Sequence, residues 1–314
     1  MKAVILDAAS LGHDIDLSLI EAQVTELEVF QSTTPDELHQ RIADVDIIIT
    51  NKVVIDANAM AAAPHLKLIC VLATGINNID SEAAQQRNIA VKNVIAYGTA
   101  SVAQHTLMMM LALATKQAQQ QHALTAGKWE QAPMFVMLDY PIIQLAGKTL
   151  VIVGHGELGQ AVEKLALALG MQVKIAARPG ATNDSRPAFE ALLPEADVIS
   201  FHCPLTDTTR DLLNAERLKL CKPSVLIVNN ARGGIVNEAD AVAALRAGDI
   251  GGLAADVLTQ EPPRDGNPLL EALRDEQPLN LVVSPHIAWT SPEARQNIVK
   301  LTAENIASLA PANA

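Results

Sequence analysis

Short apolar runs recur along the chain, and each is followed by a stretch with helical spacing. The runs predicted as strands are Ala3–Leu6, Leu27–Phe30, Ile47–Ile49, Leu66–Val71, Ala90–Val91, Leu150–Val153, Val173–Ala177, Val198–Phe201, Val225–Val228, Leu253–Val257 and Leu281–Val283. Runs this continuous are typical of parallel strands covered by helices on both faces. The alternation of strand and helix therefore predicts an α/β fold with doubly wound parallel sheets.

Two helical stretches set the predicted domain organisation. A long apolar helix, Ala100–Ala126, separates the two sets of strands and ends at Gly127, where a left-handed cap is expected. We expect it to be buried between layers or at a subunit contact. The final helix, Pro292–Leu309, has no sheet of its own to cover, so it should pack back on the first domain. The prediction is two interlaced domains, residues 1–98 with 288–314 and residues 99–287.

Composition narrows the classes of partner. The 314 residues carry 23 Lys and Arg against 35 Asp and Glu, a net charge of −12, which disfavours nucleic acid and anionic membrane surfaces. No apolar run is long enough to span a bilayer. Three widely spaced cysteines, and the early appearance of Asp7, favour a cytoplasmic protein with reduced thiols. The histidine spacing predicts no metal site.

The sharpest motif is a glycine fingerprint, Gly154, Gly156 and Gly159, between a predicted strand and a predicted helix. Such a strand–turn–helix unit is typical of dinucleotide binding. In it the first glycine allows the turn, the second lets the backbone approach the pyrophosphate, and the third lets the helix pack on the strand. The backbone amides of Glu157 and Leu158 would face the phosphates.

The end of the next strand bears on which dinucleotide binds. An acidic residue there would bind the adenosine ribose hydroxyls, but the chain has Ala177 followed by Arg178. An arginine can pair with a 2′-phosphate. The sequence favours NADP(H), with NAD(H) or dual use left open.

Three further turns after predicted strands carry candidate catalytic residues: Arg232, Asp256 with Glu261, and His286. Parallel strands end at one edge of a sheet, where α/β proteins place their chemistry. Reduction of a 2-oxo acid by hydride needs a cation for the carboxylate and a proton donor for the new alkoxide. Arg232 supplies the first and His286 the second, with Glu261 holding its tautomer. A nicotinamide would supply the hydride.

These residues, together with further motifs, resemble the D-isomer-specific 2-hydroxyacid dehydrogenase family, most of all its glycerate dehydrogenase (hydroxypyruvate reductase) and glyoxylate reductase members. The resemblance covers nearly the whole chain. Besides the glycine fingerprint, it rests on residues 50–52, 73–80, 101–106, 230–233, 256–262 and 284–286. It implies a Rossmann nucleotide domain inserted into a flavodoxin-like substrate domain, a homodimer formed through the nucleotide domain, and reduction of hydroxypyruvate or glyoxylate.

The resemblance also implies residue roles. Arg232, Glu261 and His286 would be the catalytic trio, and the amides of Thr74, Gly75 and Ile76 would bind the substrate carboxylate with Lys52 nearby. Asp256 would hold the nicotinamide carboxamide and Val102 would lie near its ring. The remaining cofactor contacts are Asn230, Ala231, His202, Cys203, Pro204 and Thr209. Ala177 and the bulky Ile76 depart from the family pattern, at positions that bear on the cofactor and on substrate size.

Two alternatives remain open from the sequence. A nucleotide-sensing module, like the co-repressors that resemble this family, would bind reduced cofactor and change its assembly state. A dehydrogenase for a phosphorylated or larger 2-hydroxy acid would need extra cations in the substrate domain, for which Lys52 and Arg41 are the candidates. His105, in the long helix, is expected to be a packing residue.

Overall fold

A computed structural model describes residues 1–309. The chain divides into two compact units. Unit 1 comprises Met1–Gly98 together with the C-terminal segment that begins at Trp289, and unit 2 comprises Thr99–Ala288. Within the described residues, no helix has the length and apolar character that crossing a membrane requires.

Unit 1 is built on a five-stranded parallel sheet with strand order β2-β1-β3-β4-β5. The strands are β1 (Lys2–Ile5), β2 (Glu26–Val29), β3 (Ile47–Thr50), β4 (Leu68–Val71) and β5 (Ala90–Asn93). The strand order reverses direction between β1 and β3, which is the flavodoxin-like arrangement. Side chains alternate between the two faces of the sheet, and both faces are covered.

The helices of unit 1 lie on the two faces of this sheet. They are α1 (Ser18–Glu21), α2 (Pro35–Ile42), α3 (Ala57–Ala62) and α4 (Ser81–Gln86), with a 3-10 turn at Ala8–Leu11 and the last helix of the chain at Pro292–Ala307. Residues Ile298, Val299 and Ile306 of that last helix are buried against the sheet with Ile5 and Ile49. The predicted return of the C-terminal helix to the first domain is therefore what the packing within unit 1 shows.

Unit 2 contains a six-stranded parallel sheet with strand order β11-β10-β9-β8-β6-β7. Its strands are β6 (Thr149–Val153), β7 (Gln172–Ile175), β8 (Val198–Phe201), β9 (Leu226–Asn229), β10 (Gly252–Ala255) and β11 (Leu281–Val283). The order reverses between β6 and β8, as in Rossmann sheets, although residues 176–188 form a loop where the common Rossmann order has a further strand beyond β7. The predicted α/β fold with two parallel sheets is confirmed.

Helices cover both faces of this sheet as well. They are α5 (Thr99–Ala114), α6 (Gln117–Thr125), α7 (Glu157–Ala168), α8 (Phe189–Leu192), α9 (Ala215–Leu218), α10 (Glu238–Ala247) and α11 (Pro268–Ala272), with a 3-10 turn at Leu193–Glu195; the C-terminal helix of unit 1 is α12. On β6, Val151 and Val153 face the core under α8 to α11, whereas Leu150 and Ile152 face the core under α5 and α7. This two-residue alternation, apolar on both sides, explains the continuous apolar runs.

The prediction of one long helix over Ala100–Ala126 is wrong in one respect, because the structure breaks it into α5 and α6. Lys116 has φ 55°, a left-handed conformation that stops a helix. The carbonyl of Ala114 accepts the N–H of Ile143 at 2.8 Å, and the hydroxyl of Thr115 donates to the carbonyl of Leu111 at 2.7 Å. The first of these contacts occupies the carbonyl that the N–H of Ala118 would need in a continuing helix.

Candidate active site

Glu261 and His286 form a hydrogen-bonded pair at the carboxyl edge of the unit 2 sheet, after the neighbouring strands β10 and β11. Nδ1 of His286 lies 2.7 Å from Oε2 of Glu261, and Oε1 of Glu261 accepts the N–H of Leu258 at 2.8 Å. The two side chains are 33% and 35% exposed. The carboxylate fixes the proton on Nδ1, and Nε2 has no partner within residues 1–309, so Nε2 can exchange a proton with a bound molecule.

Arg232 follows β9, the strand next to β10, and lies at the same edge. Its guanidinium is exposed, donates to the carbonyl of Ala231 at 2.7 Å and forms no ion pair with any described residue. A Cβ at Gly233 would collide with the carbonyl of Leu258. The backbone after Arg232 is thus packed directly on the segment that binds Glu261, and the free cation suits an anionic substrate group.

Asn230 and Ala231 are buried in the turn after β9, each 8% exposed. The side-chain amide of Asn230 lies 3.0 Å from Oγ1 of Thr106 on α5. Val102, also on α5, is 9% exposed. Helix α5 therefore supports the turn that carries Arg232.

Asp256, directly after β10, holds the loop that contains His286. Its carboxylate is 1% exposed and accepts the N–H groups of Ile287 and Ala288, both at 2.9 Å, and the hydroxyl of Ser284. Its main-chain carbonyl accepts the N–H of His286 at 2.8 Å. The predicted contact of Asp256 with a nicotinamide carboxamide stays a prediction. The structure shows in addition that Asp256 binds the backbone of residues 286–288.

The glycine turn between β6 and α7 excludes a side chain at two of its three glycines and leaves space at the third. Gly154 has φ 96°, and a Cβ there would lie 2.6 Å from the carbonyl carbon of His202. A Cβ at Gly159 would collide with the carbonyl oxygen of Gly154, so a side chain would push α7 away from the turn. A Cβ at Gly156 would meet nothing within 4 Å.

Gly156 directly precedes α7, whose first amides no described side chain caps. The helix starts at Glu157, whose carboxylate accepts the hydroxyl of Thr99 at 2.7 Å, and Leu158 follows. Uncapped amides beside a cradle without a side chain fit the pyrophosphate of a dinucleotide.

The loop after β7 contains Arg178, which is exposed, and a single carboxylate, Asp184. Oδ2 of Asp184 accepts the N–H of Arg178 at 2.8 Å, and Oδ1 accepts Nε of Arg186 at 2.8 Å. Arg186 and the two backbone amides hold the pKa of Asp184 well below its usual range. Both oxygens of this carboxylate are therefore engaged, whereas the guanidinium of Arg178 has no partner within the described chain.

His202, Cys203, Pro204 and Thr209 line the turn after β8. Nε2 of His202 lies 2.8 Å from the hydroxyl of Ser200, while its Nδ1 is buried and unpartnered among residues 1–309. Burial lowers the pKa of His202 to about 4 and raises the pKa of Cys203 to about 11. Thr209 donates its hydroxyl to the carbonyl of Pro204 at 2.7 Å. The imidazole of His202 is therefore neutral and the thiol of Cys203 is protonated at neutral pH.

In unit 1, Thr74, Gly75 and Ile76 form a turn after β4. Their three N–H groups find no acceptor in the described part of the chain. The carbonyl of Thr74 accepts Nδ2 of Asn93 at 2.6 Å, and the side chain of Ile76 packs against the core of unit 1. Three consecutive free amides can bind a carboxylate.

Lys52 lies in another turn of unit 1, after β3. Its N–H donates to Oδ2 of Asp7 at 2.7 Å, and the N–H of Asn51 donates to Oδ1 of the same carboxylate at 2.9 Å. The side chain of Lys52 is exposed and forms no ion pair within residues 1–309. Asp7 therefore fixes the backbone of the turn, while the ammonium group of Lys52 has no ionic partner among these residues.

Sequence reasoning missed the side chains that hold these turns. Asp7 carries a signal, because a carboxylate directly after a strand at the reversal of the sheet often supports a site. Ser284 was part of a motif without an assigned role. His105, expected to be a packing residue, also lies 2.9 Å from Oγ of Ser284, and Ser101 donates to the carbonyl of Ala288 at 2.7 Å; both contacts depend on tertiary structure and leave no sequence signal.

Comparisons with known proteins agree with this arrangement. Residues 107–288 match the family described as D-isomer specific 2-hydroxyacid dehydrogenase, NAD binding domain. The chain is 39% identical to a glycerate dehydrogenase of Methylorubrum extorquens, over 97% of this chain and 95% of that one. It is 36% identical to a hydroxypyruvate reductase of Blautia hydrogenotrophica, over 98% and 96% of the two chains. A solved structure of a Thermus thermophilus protein superposes with a TM-score of 0.81 at 32% identity, over 98% and 96% of the two chains.

Proposed function

Because the chain belongs to the D-isomer-specific 2-hydroxyacid dehydrogenase family, we propose that it reduces hydroxypyruvate to D-glycerate and glyoxylate to glycolate. Its activity is the activity of that family, the nicotinamide-dependent reduction of small 2-oxo acids to D-2-hydroxy acids. The observation that carries the proposal is the His286–Glu261 pair, with Nε2 of the histidine free at the edge that also carries the unpaired Arg232.

Each part of the proposed reduction is assigned to different residues of this chain. A nicotinamide dinucleotide, when bound, supplies the hydride. The amides at Glu157 and Leu158 hold its phosphates, and Arg232 binds the substrate carboxylate through its planar fork. His286 gives the proton on Nε2 to the developing alkoxide, while Glu261 stabilises the imidazolium and keeps the ring in place. In unit 1, the free amides at residues 74–76 and the ammonium group of Lys52 are assigned to substrate binding.

We propose NADPH as the preferred cofactor, since the loop after β7 offers a free cation and no free carboxylate. The oxygens of Asp184 are engaged by Arg186 and by backbone amides, so they do not compete for ribose hydroxyls. Arg178 is left to pair with a 2′-phosphate. Arg178→Ala should weaken NADPH binding more than NADH binding, and Ala177→Glu should favour NADH. Both follow from dissociation constants measured by nicotinamide fluorescence.

We propose a homodimer formed through unit 2. The segment between α6 and β6 exposes large apolar side chains, among them Phe135 at 87%, Leu138 at 77% and Ile142 at 66%, and α5 adds Met108 and Leu111. An apolar surface of this kind is rare on a monomer, and a second copy of the chain would bury it. Phe135→Glu with Leu138→Glu should convert a dimer to a monomer in sedimentation experiments. A monomeric parent chain would contradict the proposal.

A reducing compartment such as the cytoplasm is proposed from the cysteines. Cys70, Cys203 and Cys221 are all free. Burial raises their pKa values to about 12, 11 and 11, so the thiols are protonated at neutral pH. Three unpaired cysteines are typical of proteins in a reducing compartment.

The function is tested by initial rates of hydroxypyruvate and glyoxylate reduction with NADPH and with NADH, followed by the absorbance of the reduced nicotinamide. We expect turnover with NADPH to exceed turnover with NADH. His286→Gln should lower kcat by about a hundredfold or more while leaving cofactor affinity unchanged. Arg232→Lys should raise the KM of the 2-oxo acid and also lower kcat, because a point charge cannot form the fork.

Each negative result has a distinct meaning. Faster turnover with NADH keeps the enzyme and overturns the cofactor proposal. Turnover restricted to a phosphorylated or larger 2-oxo acid overturns the proposed substrate. Tight binding of reduced cofactor without turnover of any 2-oxo acid, together with a change of assembly state, would identify a nucleotide-sensing module instead.

A further inference from the structure

Helix α5 contacts the loop that carries His286 through two side chains one turn apart. Ser101 donates its hydroxyl to the carbonyl of Ala288 at 2.7 Å. Nε2 of His105 lies 2.9 Å from Oγ of Ser284 and 3.6 Å from Oδ1 of Asp256. The side chain of His105 is only 15% exposed. These contacts bring α5 to the base of the loop, on the buried side of Asp256.

The directions of the hydrogen bonds in this cluster follow from its chemistry. The oxygens of Asp256 accept two backbone N–H groups and the single hydroxyl hydrogen of Ser284. The oxygen of Ser284 then has only lone pairs to offer to His105. Nε2 of His105 must therefore carry a hydrogen and donate it. The result is a directed chain from His105 through Ser284 to Asp256.

This chain ends on the backbone of the His286 loop. Three successive N–H groups, at residues 286, 287 and 288, are accepted by the main-chain carbonyl and the two carboxylate oxygens of Asp256. His286 itself has φ 56°, a left-handed conformation that a residue with a side chain adopts only when its surroundings enforce it. Asp256 supplies that constraint.

The carboxylate of Asp256 is in turn held by the hydrogen bonds from Ser284 and, through Ser284, from His105. Among the described residues, His105 is the only histidine, lysine or arginine with a side-chain nitrogen within 4.0 Å of this carboxylate. A buried carboxylate is stabilised chiefly by the donors that surround it. Loss of the donor at His105 would free the hydroxyl of Ser284 to rotate, and the anchor of the loop would loosen.

We propose that His105 is a positioning residue for catalysis, acting through Ser284 and Asp256 to hold His286 in its left-handed, Glu261-paired orientation. The proposal rests on the proposed function, because it assigns His286 the proton transfer. What the position requires is a hydrogen-bond donor where Nε2 stands. A donor of similar reach should therefore replace the imidazole, whereas an apolar side chain of the same size should not.

The test uses the matched pair His105→Gln and His105→Met, which differ little in size but only the first of which can donate from the Nε2 position. We expect His105→Met to lower kcat roughly ten- to a hundredfold, because a small displacement of a proton donor has effects of that size. The substrate KM and the cofactor dissociation constant should change less than threefold. His105→Gln should restore kcat to within about threefold of the parent chain.

A double-mutant cycle and a structural measurement complete the test. Ser284→Ala should lower kcat like His105→Met, and the double variant should lose no more than either single variant, since both break one chain. Hydrogen exchange at the amides of residues 286–288 should speed up in His105→Met and not in His105→Gln. Thermal unfolding of each variant establishes that it is folded.

Several outcomes overturn the inference. It fails if His105→Gln loses as much as His105→Met, if the two single losses multiply, or if exchange at residues 286–288 is unchanged. Failure of the proposed function looks different, because the parent chain itself would then reduce no 2-oxo acid. In that case the exchange measurement still decides whether His105 holds the loop.

Discussion

In both sheets a carboxylate at the end of one strand holds a turn that follows the neighbouring strand, and the two carboxylates differ in burial. In unit 2, Asp256 after β10 accepts the amides of the loop that follows β11. In unit 1, Asp7 after β1 accepts the amides of Asn51 and Lys52, which follow the neighbouring strand β3. In each case a carboxylate at one strand end fixes the turn after the next strand.

The two carboxylates differ in their exposure to solvent and in the side chains that contact them. Asp256 is 1% exposed and contacts the side chain of Ser284, which His105 contacts in turn. Asp7 is half-buried, and its one side-chain contact within residues 1–309 is a long one, 3.3 Å to the hydroxyl of Thr50. Water can replace a lost partner at Asp7 but not at Asp256. Similar hydrogen-bond patterns at two strand ends should therefore differ in their sensitivity to mutation.

The largest effect is expected for Asp256→Asn. An amide in place of this buried carboxylate points hydrogens at backbone N–H groups, so the loop of His286 should shift. We expect kcat to fall roughly a hundredfold and the free energy of unfolding to fall by about 2–3 kcal/mol. Steady-state kinetics and urea unfolding measure the two quantities. A variant with kcat within threefold of the parent chain would show that the loop does not need this anchor.

A smaller and different effect is expected for Asp7→Asn, the matched substitution in unit 1. Because this carboxylate is partly solvated, the free energy of unfolding should fall by only about 1 kcal/mol. The turn that carries Lys52 should loosen, raising the substrate KM roughly five- to tenfold with kcat nearly unchanged. If the same substitution at both positions changes kcat equally, the contrast between the two units is wrong.

The effect that is smallest at neutral pH concerns acid stability. The pKa of His202, about 4, is depressed below the ordinary value near 6.5, so the unfolded chain takes up a proton first as the pH falls. Its contribution to stability is complete above pH 6.5 and is lost between there and about 4. Amide protection in unit 2 should therefore fall across this window.

His202→Gln is the control for that measurement. Hydrogen exchange of this variant and the parent chain, compared at the same pH, should show a smaller acid-induced loss of protection in unit 2 of the variant. Unit 1 has no histidine at a strand end among its described residues, and it should respond alike in both proteins. An identical loss of protection in unit 2 of both chains would remove His202 as the cause.

Most of the fold was predictable from the sequence, because each buried parallel strand leaves a continuous apolar run. The break between α5 and α6 was not, since Lys116 is an ordinary helix former. It adopts φ 55° where a distant segment, at Ile143, takes the carbonyl of Ala114. A local pattern cannot report a competing hydrogen bond from residues far along the chain.

The candidate site likewise contains residues that the sequence could predict and contacts that it could not. Arg232, Glu261 and His286 were predictable because each follows a strand and carries a chemically distinctive side chain. The roles assigned to them, and to the other predicted site residues, stay predictions. The anchoring by Asp256 and His105 could not be foreseen, because it depends on which side chains the packing of α5 brings within 3–4 Å of each other.

The division of unit 1 between the two ends of the chain has a consequence for synthesis on the ribosome. Its core is incomplete until α12 delivers Ile298, Val299 and Ile306, whereas every strand of unit 2 has by then been made. Unit 2 can therefore fold first, and the sheet of unit 1 waits with one apolar face uncovered. A nascent chain that pauses before α12 would present that face to chaperones and to aggregation.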